Sequence, residues 1–292
     1  MRLRSLLFVP GDSERKFARA AAGNADVLIL DLEDAVAPSM KTVARGVVAG
    51  WIARAGDVPA RLVARVNPLE TGMTADDLAA VVRPGLAGVM VPKADSAADV
   101  ATISAMIDRL EAAAGIAAGA VRILVVTTET PAAMFAMGSY APPHPRLAAL
   151  TWGAEDLAAA LGATANKDAE GAWTAPYQLA RSLCLFAASA ADIVPIETIY
   201  SDFRDVQGLE ADCRRARRDG FLGRLAIHPD QVDIINRCFT PSDAEVALAR
   251  RIAEAFAANP DVGAIGIDGK MYDIPHLKAA QKTLAAADAA LV

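Results

Sequence analysis

Eight short apolar runs, separated by alanine-rich stretches of helical period, constrain this sequence more than any other feature. The runs fall at residues 3–9, 26–31, 61–66, 86–92, 121–127, 147–152, 192–197 and 224–228. Several are continuously apolar rather than alternating, the pattern of parallel strands covered on both faces. Between them, residues 13–22, 41–54, 74–82, 97–113, 175–188 and 207–218 carry helical periodicity, with Ser13, Thr74 and Ser96 as candidate caps. Strand and helix alternating in this way predict a closed TIM (β/α)8 barrel. The alternative is an open doubly wound sheet, which does not need eight strands at such even spacing.

The last part of the chain breaks the pattern. Pro241-Ser-Asp243 opens a helix to about residue 258, read as the eighth barrel helix. The barrel is therefore assigned to residues 1–258 and a C-terminal extension to 259–292. Residues 262–269 read as a loop or small hairpin, and a final amphipathic helix covers residues 276–291. The extension is too small for a domain and too apolar for a disordered tail, so it must pack on its own barrel or on a neighbour's.

A chain of 292 residues, 54% of them apolar, suits one large barrel core. Its net charge of −6 argues against a nucleic-acid surface, which needs clustered Lys and Arg. The one basic run, Arg214-Arg215-Ala-Arg217-Arg218, lies on a predicted helix and reads as a solvated face or subunit contact. Three widely spaced cysteines (Cys184, Cys213, Cys238) without a CxxC fit a reducing compartment rather than a disulfide framework or zinc site. Arg2 and Arg4 before a short apolar run only faintly mimic an export signal, and no stretch is long enough to span a membrane. A cytoplasmic location is expected.

In a parallel barrel every strand ends on one face, so residues just after the runs converge. Glu129 and Asp156 each close such a run and together supply the hard oxygen ligands that magnesium prefers. Alternatively an acid of this pair serves a helix start, since Glu155-Asp156-Leu157 opens a helical segment. Arg65 offers a guanidinium that grips a carboxylate bidentately, or else forms an internal salt bridge to the Asp31-Leu-Glu33-Asp34 cluster one strand away. Lys93 ends another run. Surrounded by carboxylates it should stay protonated and ion-paired, which counts against Schiff-base chemistry. His144 sits in a proline-rich surface loop, whereas His228 ends the last run, where it reaches the active face or bonds to a loop. The Pro10-Gly11-Asp12 turn with Lys16 could hold anionic groups near a helix N-terminus.

These clusters, in this order, resemble the HpcH/HpaI aldolase and citrate lyase superfamily, in its citrate lyase beta-subunit-like branch. The matching stretches are Leu7-Phe-Val-Pro-Gly-Asp12 with Lys16, Asp31-Leu-Glu-Asp-Ala-Val36 with Lys41 and Arg45, Arg65-Val-Asn67 and Pro92-Lys93. Further along come Glu129-Thr130, Gly153-Ala-Glu-Asp-Leu157, Gly220-Phe-Leu-Gly223, Ile227-His-Pro-Asp-Gln231 and Gly269-Lys-Met-Tyr-Asp273. The resemblance implies a TIM barrel that makes or breaks a carbon–carbon bond between a 2-oxo acid and an acyl thioester. It implies Mg²⁺ on Glu129 and Asp156, Arg65 on the substrate oxygen, and Gly153, Ala154 and Glu155 beside the substrate. Asp31, Glu33, Asp34 and Lys93 are expected to back these groups. Asp273 is implied as an acid carried on the extension of a neighbouring subunit, in a homotrimer or dimer of trimers. Pro10, Lys16 and His228 are implied near coenzyme A. Thr128, Trp152 and Tyr272 depart from the family's usual residues; Trp152 is expected to narrow the oxo-acid pocket, and the Tyr272 phenol either to reach the site or to pack under the C-terminal extension.

The resemblance leaves several activities open. The leading one is a Mg²⁺-dependent lyase acting on malyl-CoA or citramalyl-CoA. Others are a citrate lyase beta subunit acting on a carrier-protein thioester, and a malate-synthase or thioesterase outcome in which hydrolysis follows. A non-catalytic paralogue binding CoA or an oxo acid is the non-enzymatic alternative. A pyruvate-type aldolase is disfavoured, because Glu33 and Asp34 stand where those relatives use a histidine.

Overall fold

Every apolar run becomes a strand. In the computed structural model, which describes residues 2–291, these are β1 (Ser5–Pro10), β2 (Val27–Asp31), β3 (Arg61–Arg65), β4 (Leu86–Val91), β5 (Arg122–Thr127), β6 (Leu147–Trp152), β7 (Val194–Glu197) and β8 (Gly223–Ala226). They pair in parallel and in chain order, and β8 returns to β1 to close the barrel. The expected closed barrel is present and the open sheet is not. β2 shows why the runs are continuously apolar. Val27 and Ile29 join the barrel's inner cluster, while Leu28 and Leu30, facing the other way, are equally buried.

The barrel helices follow the expected spacing: α1 (Glu14–Ala21), α2 (Lys41–Ala53), α3 (Thr74–Val81), α4 (Ala97–Ala114), α5 (Pro131–Met134), α6 (Ala154–Leu161), α7 (Ala175–Ala190), α8 (Val206–Asp219) and α9 (Val232–Phe239). Of the three expected caps only Ser96 works as one, in a capping box with Asp99. Ser13 makes no side-chain cap bond, and Thr74 lies inside its helix with its hydroxyl donating to Asn67 O at 2.9 Å. The helix that follows β8 is α9, not the one at 243–258. α9 has eight residues and follows a 3-10 turn at Pro229–Gln231. On α8, Arg214 and Arg218 are exposed and paired with Glu210 and Asp219, a solvated face. No helix among the described residues is long and apolar enough to cross a membrane.

The chain divides into two compact units, residues 3–236 and 237–292. The division falls before α10 (Asp243–Ala258), whereas the sequence placed it after that helix. The physical reason is packing. Ile252 and Phe256 of α10 share a core with Ile267 of β9 (Ala264–Ile267) and Ala280 of α11 (Ile274–Leu291). β9 pairs antiparallel with β10 (Lys270–Asp273) through Asp268-Gly269, both at positive φ, as a two-residue hairpin turn requires. Tyr272 packs on this core and edge-on to His276, 5.4 Å away.

One glycine ties the fold to its mouth. Gly11, just after β1, donates its N–H to Asp31 O at 2.8 Å, and a Cβ there would lie 2.6 Å from that oxygen. Gly11→Ala should therefore cost about 2 kcal/mol, the scale of overpacking, and displace Asp31. Urea unfolding measures it, and an unchanged midpoint would contradict the close approach.

Candidate active site

The C-terminal ends of β1 to β3 and β5 to β8 open on a cavity of about 700 Å³. Arg65, Asp31, Asp34, Glu129, Gly153, Ala154, Glu155, Asp156, Pro10, Lys16 and His228 all line it. Residues far apart in sequence are thus brought together, as parallel strands require.

Arg65 owes its setting to strand register. It ends β3 directly opposite Asp31, the end of β2. Its Nε and Nη2 donate to the two oxygens of Asp31 at 2.8 and 2.6 Å, and Nη1 lies 2.9 Å from Glu33. The guanidinium also stacks over Phe8 at 4.6 Å. Burial alone would pull the Arg65 pKa down, but Asp31 and Glu33 more than offset it and hold it above the ordinary value. The internal salt bridge is real, and it aims the arginine at the cavity. A guanidinium has five N–H donors, and these contacts leave two for another oxygen.

Lys93 follows β4, in the left-handed region at φ 50°. Its backbone N–H donates to Glu129, while Nζ contacts Glu33 and lies 3.1 Å from Asp156 and 3.5 Å from Asp34. Burial would lower its pKa, but these acids raise it, so Lys93 is a protonated, ion-paired lysine. It is not suited to Schiff-base chemistry.

Glu129 is 4% exposed. Burial pushes its pKa up to about 8; the Lys93 N–H works against this, and nearby Asp156 adds to it. Burial likewise raises Glu33, against the pull of Arg65 and Lys93. Gly153 exists to make room, since a Cβ there would sit 2.5 Å from Glu129 Cγ. Asp156 lies in the first turn of α6, but the N-cap is Gly153, which makes no side-chain cap bond. The acid is thus not a cap; its carboxylate faces Lys93 and the cavity.

Glu129 and Asp156 fit a divalent cation. Five carboxylates (Asp31, Glu33, Asp34, Glu129, Asp156) meet two side-chain cations (Arg65, Lys93), and the buried Glu129 is neutralised by proton uptake unless a cation joins it. Among the described residues no group of three or more His, Cys, Asp or Glu forms a closed metal site. Two carboxylates with remaining positions open to water and substrate are the usual magnesium arrangement.

Other residues serve from behind. Lys41 Nζ donates to Leu32 O and Glu33 O at 2.7 Å and to Asn67 at 2.8 Å, and Arg45 and Asn67 both bond Asp77. These motif residues knot the loop that carries the acids. Trp152 is fully buried, bonded to Glu197 and edge-on to Trp173 at 5.1 Å, and it forms part of the cavity wall beside Gly153, where the sequence reading placed it.

His228 accepts the Asp230 N–H at 3.3 Å and stacks on Phe203, satisfying both of its expected placements. His144 accepts from Arg146 N and does not line the cavity. Arg15 and Arg19, beside Lys16 on α1, also line it and were missed. The signal was present as a basic cluster after the Pro10-Gly11-Asp12 turn. The cavity-lining residues all belong to the first unit. Asp273 belongs to the second, where it ends β10 and contacts His276 Nδ1 at 2.5 Å.

This fold and mouth define a TIM barrel with an acid-rich site at the C-terminal ends of its strands. The chain matches the HpcH/HpaI aldolase/citrate lyase family over residues 4–229 and belongs to it. The (3S)-malyl-CoA thioesterase of Cereibacter sphaeroides (strain KD131 / KCTC 12085) is 34% identical over 288 residues, 98% of this chain and 95% of that protein. Citrate lyase subunit beta of Escherichia coli (strain K12) is 33% identical over 287 residues, 98% and 93% of the two chains. The crystal structure of CitE from Mycobacterium tuberculosis, in complex with magnesium, acetoacetate and coenzyme A, aligns with a TM-score of 0.77 at 34% identity, covering 98% of each chain.

A raised carboxylate pKa destabilises the fold as pH rises from the unfolded value of 4.5 to the folded value of about 8, because the unfolded chain gives up its proton first. In chelator-treated protein, Glu129→Gln should therefore gain about 2 kcal/mol or more at pH 8 and lose that slope. Thermal melts across pH test this; a variant no more stable than wild type would contradict it.

Proposed function

We propose that the chain is a Mg²⁺-dependent acyl-CoA lyase that cleaves malyl-CoA or citramalyl-CoA to acetyl-CoA and a 2-oxo acid, or runs the condensation. The observation that carries this reading is the convergence of Arg65, Glu129 and Asp156 on one cavity whose rim bears Arg15, Lys16 and Arg19. Relatives named for malyl-CoA and citrate chemistry, and one crystallised with magnesium, acetoacetate and coenzyme A, support it.

Mg²⁺, when bound by Glu129 and Asp156, would act as a Lewis acid toward the substrate oxygen that becomes the 2-oxo group on cleavage. Arg65, fixed by Asp31, turns its remaining N–H donors to that oxygen and offsets the charge it carries once its proton is lost, or, in condensation, as the new carbon–carbon bond forms. The first-turn N–H groups of α6, at Ala154 and Glu155, have no helical acceptors and suit the carboxylate of the oxo acid. The basic face of α1 suits the phosphates of coenzyme A, with Pro10 and His228 beside it. Asp273 moves the proton at the thioester α-carbon. Its hydrogen bond with His276 holds its carboxyl below the usual range, so the carboxylate is present to take that proton in the condensation direction. In cleavage the hydroxyl proton leaves to solvent, and Asp273 must first take up a proton from solvent before passing it to the α-carbon. In this reading Asp273 is supplied by a neighbouring subunit of a homotrimer or dimer of trimers.

A second reading, hydrolysis of the malyl thioester, is favoured by the thioesterase relative. With malyl-CoA or citramalyl-CoA, the lyase releases acetyl-CoA and an oxo acid, whereas the thioesterase releases free CoA thiol. We expect acetyl-CoA release that a chelator abolishes. Arg65→Lys should lower kcat by about a hundredfold, because a lysine cannot reproduce the aimed donors, and Asp273→Asn should stop turnover. Free thiol without acetyl-CoA would make the chain a thioesterase. Silence on both substrates would point to a carrier-protein thioester or a non-catalytic binder.

A further inference from the structure

The two cations of the site are placed differently. Arg65 lines the cavity, whereas Lys93 is not among the lining residues and reaches the acids from the end of β4. Its left-handed backbone, rarely adopted by a side-chain-bearing residue, turns the N–H toward Glu129. The side chain then passes back to Glu33 and sets Nζ 3.1 Å from Asp156 Oδ1. One residue thus touches both acids proposed to hold the metal, one through its backbone and the other through its charge.

We propose that Lys93 is a positioning residue for the divalent cation, whose ammonium acts as a built-in counter-ion that steadies Asp156 before the metal arrives and weakens the metal's affinity by competing for the same carboxylate. The proposal rests on the metal role of Glu129 and Asp156. Three further observations support it. Asp31 is fully engaged by Arg65, Glu33 is shared between Arg65 and Lys93, and Asp34 lies farther from Nζ at 3.5 Å, so of the two acids proposed to hold the metal Asp156 is the one whose charge Lys93 meets directly. Lys93 keeps Glu33 when it releases Asp156, so displacement strands no cation. The Lys93 side chain is 21% exposed, so its field at the acids is only partly screened by water.

Substitution separates the two contacts, because the bond to Glu129 comes from the backbone and survives a change of side chain. Isothermal titration of Mg²⁺ into chelator-stripped full-length protein is the test, with wild type, Lys93→Met and Lys93→Arg compared. The proposal expects Lys93→Met to bind Mg²⁺ about five- to tenfold more tightly than wild type, and Lys93→Arg, which keeps the charge, to show no tightening. A lysine that served only to hold the acids in place would give the opposite sign, weaker binding on its removal. Where the Met variant fails to fold, Lys93→Gln takes its place with the same expected tightening. Wild-type binding with equal or weaker binding in the neutral variants overturns the proposal and leaves the metal site standing. If neither wild type nor the neutral variants bind Mg²⁺, the metal reading itself falls and the proposal with it.

Discussion

An excess of negative charge at the barrel mouth organises this protein. Asp31, Glu33, Asp34, Glu129 and Asp156 gather there against Arg65 and Lys93, and three of the acids, Asp31, Glu33 and Glu129, are almost wholly withdrawn from water. Burying carboxylates is costly unless each finds a partner. Asp31 is satisfied outright, since it accepts the N–H groups of Glu33 and Ala35 at 2.9 and 3.1 Å as well as both arms of Arg65. Glu129 accepts the Lys93 N–H, and burial pushes its pKa up to about 8.

Much of the surrounding construction brings backbones close enough to hold these acids. Gly11 lies against the Asp31 carbonyl and Gly153 against the Glu129 side chain. Lys93 and Thr128, at the ends of adjacent strands, take up left-handed backbone at φ 50° and 62°, which sets where the residues after β4 and β5 point. Behind them, Lys41 and Asn67 pin the loop after β2, while the Trp152–Glu197–Arg181 chain fixes the end of β6 against α7.

The sequence exposed most of this because the barrel forces strand ends together, so position after an apolar run is enough to place Arg65, Glu129 and Asp156. Register did the rest for Asp31 and Arg65. What sequence could not show depended on three-dimensional partners. α10 looks like the eighth barrel helix until its contacts with α11 and the hairpin are seen, and that place is taken by α9. The direction of the Trp152 ring is set by Glu197, which lies 45 positions away. Arg15 and Arg19 stand beside Lys16 in a basic cluster, and their place in the cavity lining shows only in three dimensions. Thr74 fits the sequence pattern of a cap, but its hydroxyl finds Asn67 O first.

The central claim is that Glu129 and Asp156 together hold a divalent cation at this mouth. Crystals grown with Mn²⁺ in place of Mg²⁺, measured at the manganese edge, test it most directly. The account predicts an anomalous peak about 2.0–2.3 Å from a carboxylate oxygen of each residue, in the range of hard-cation oxygen bonds. A peak that touches neither acid, or no peak at saturating Mn²⁺, would contradict it.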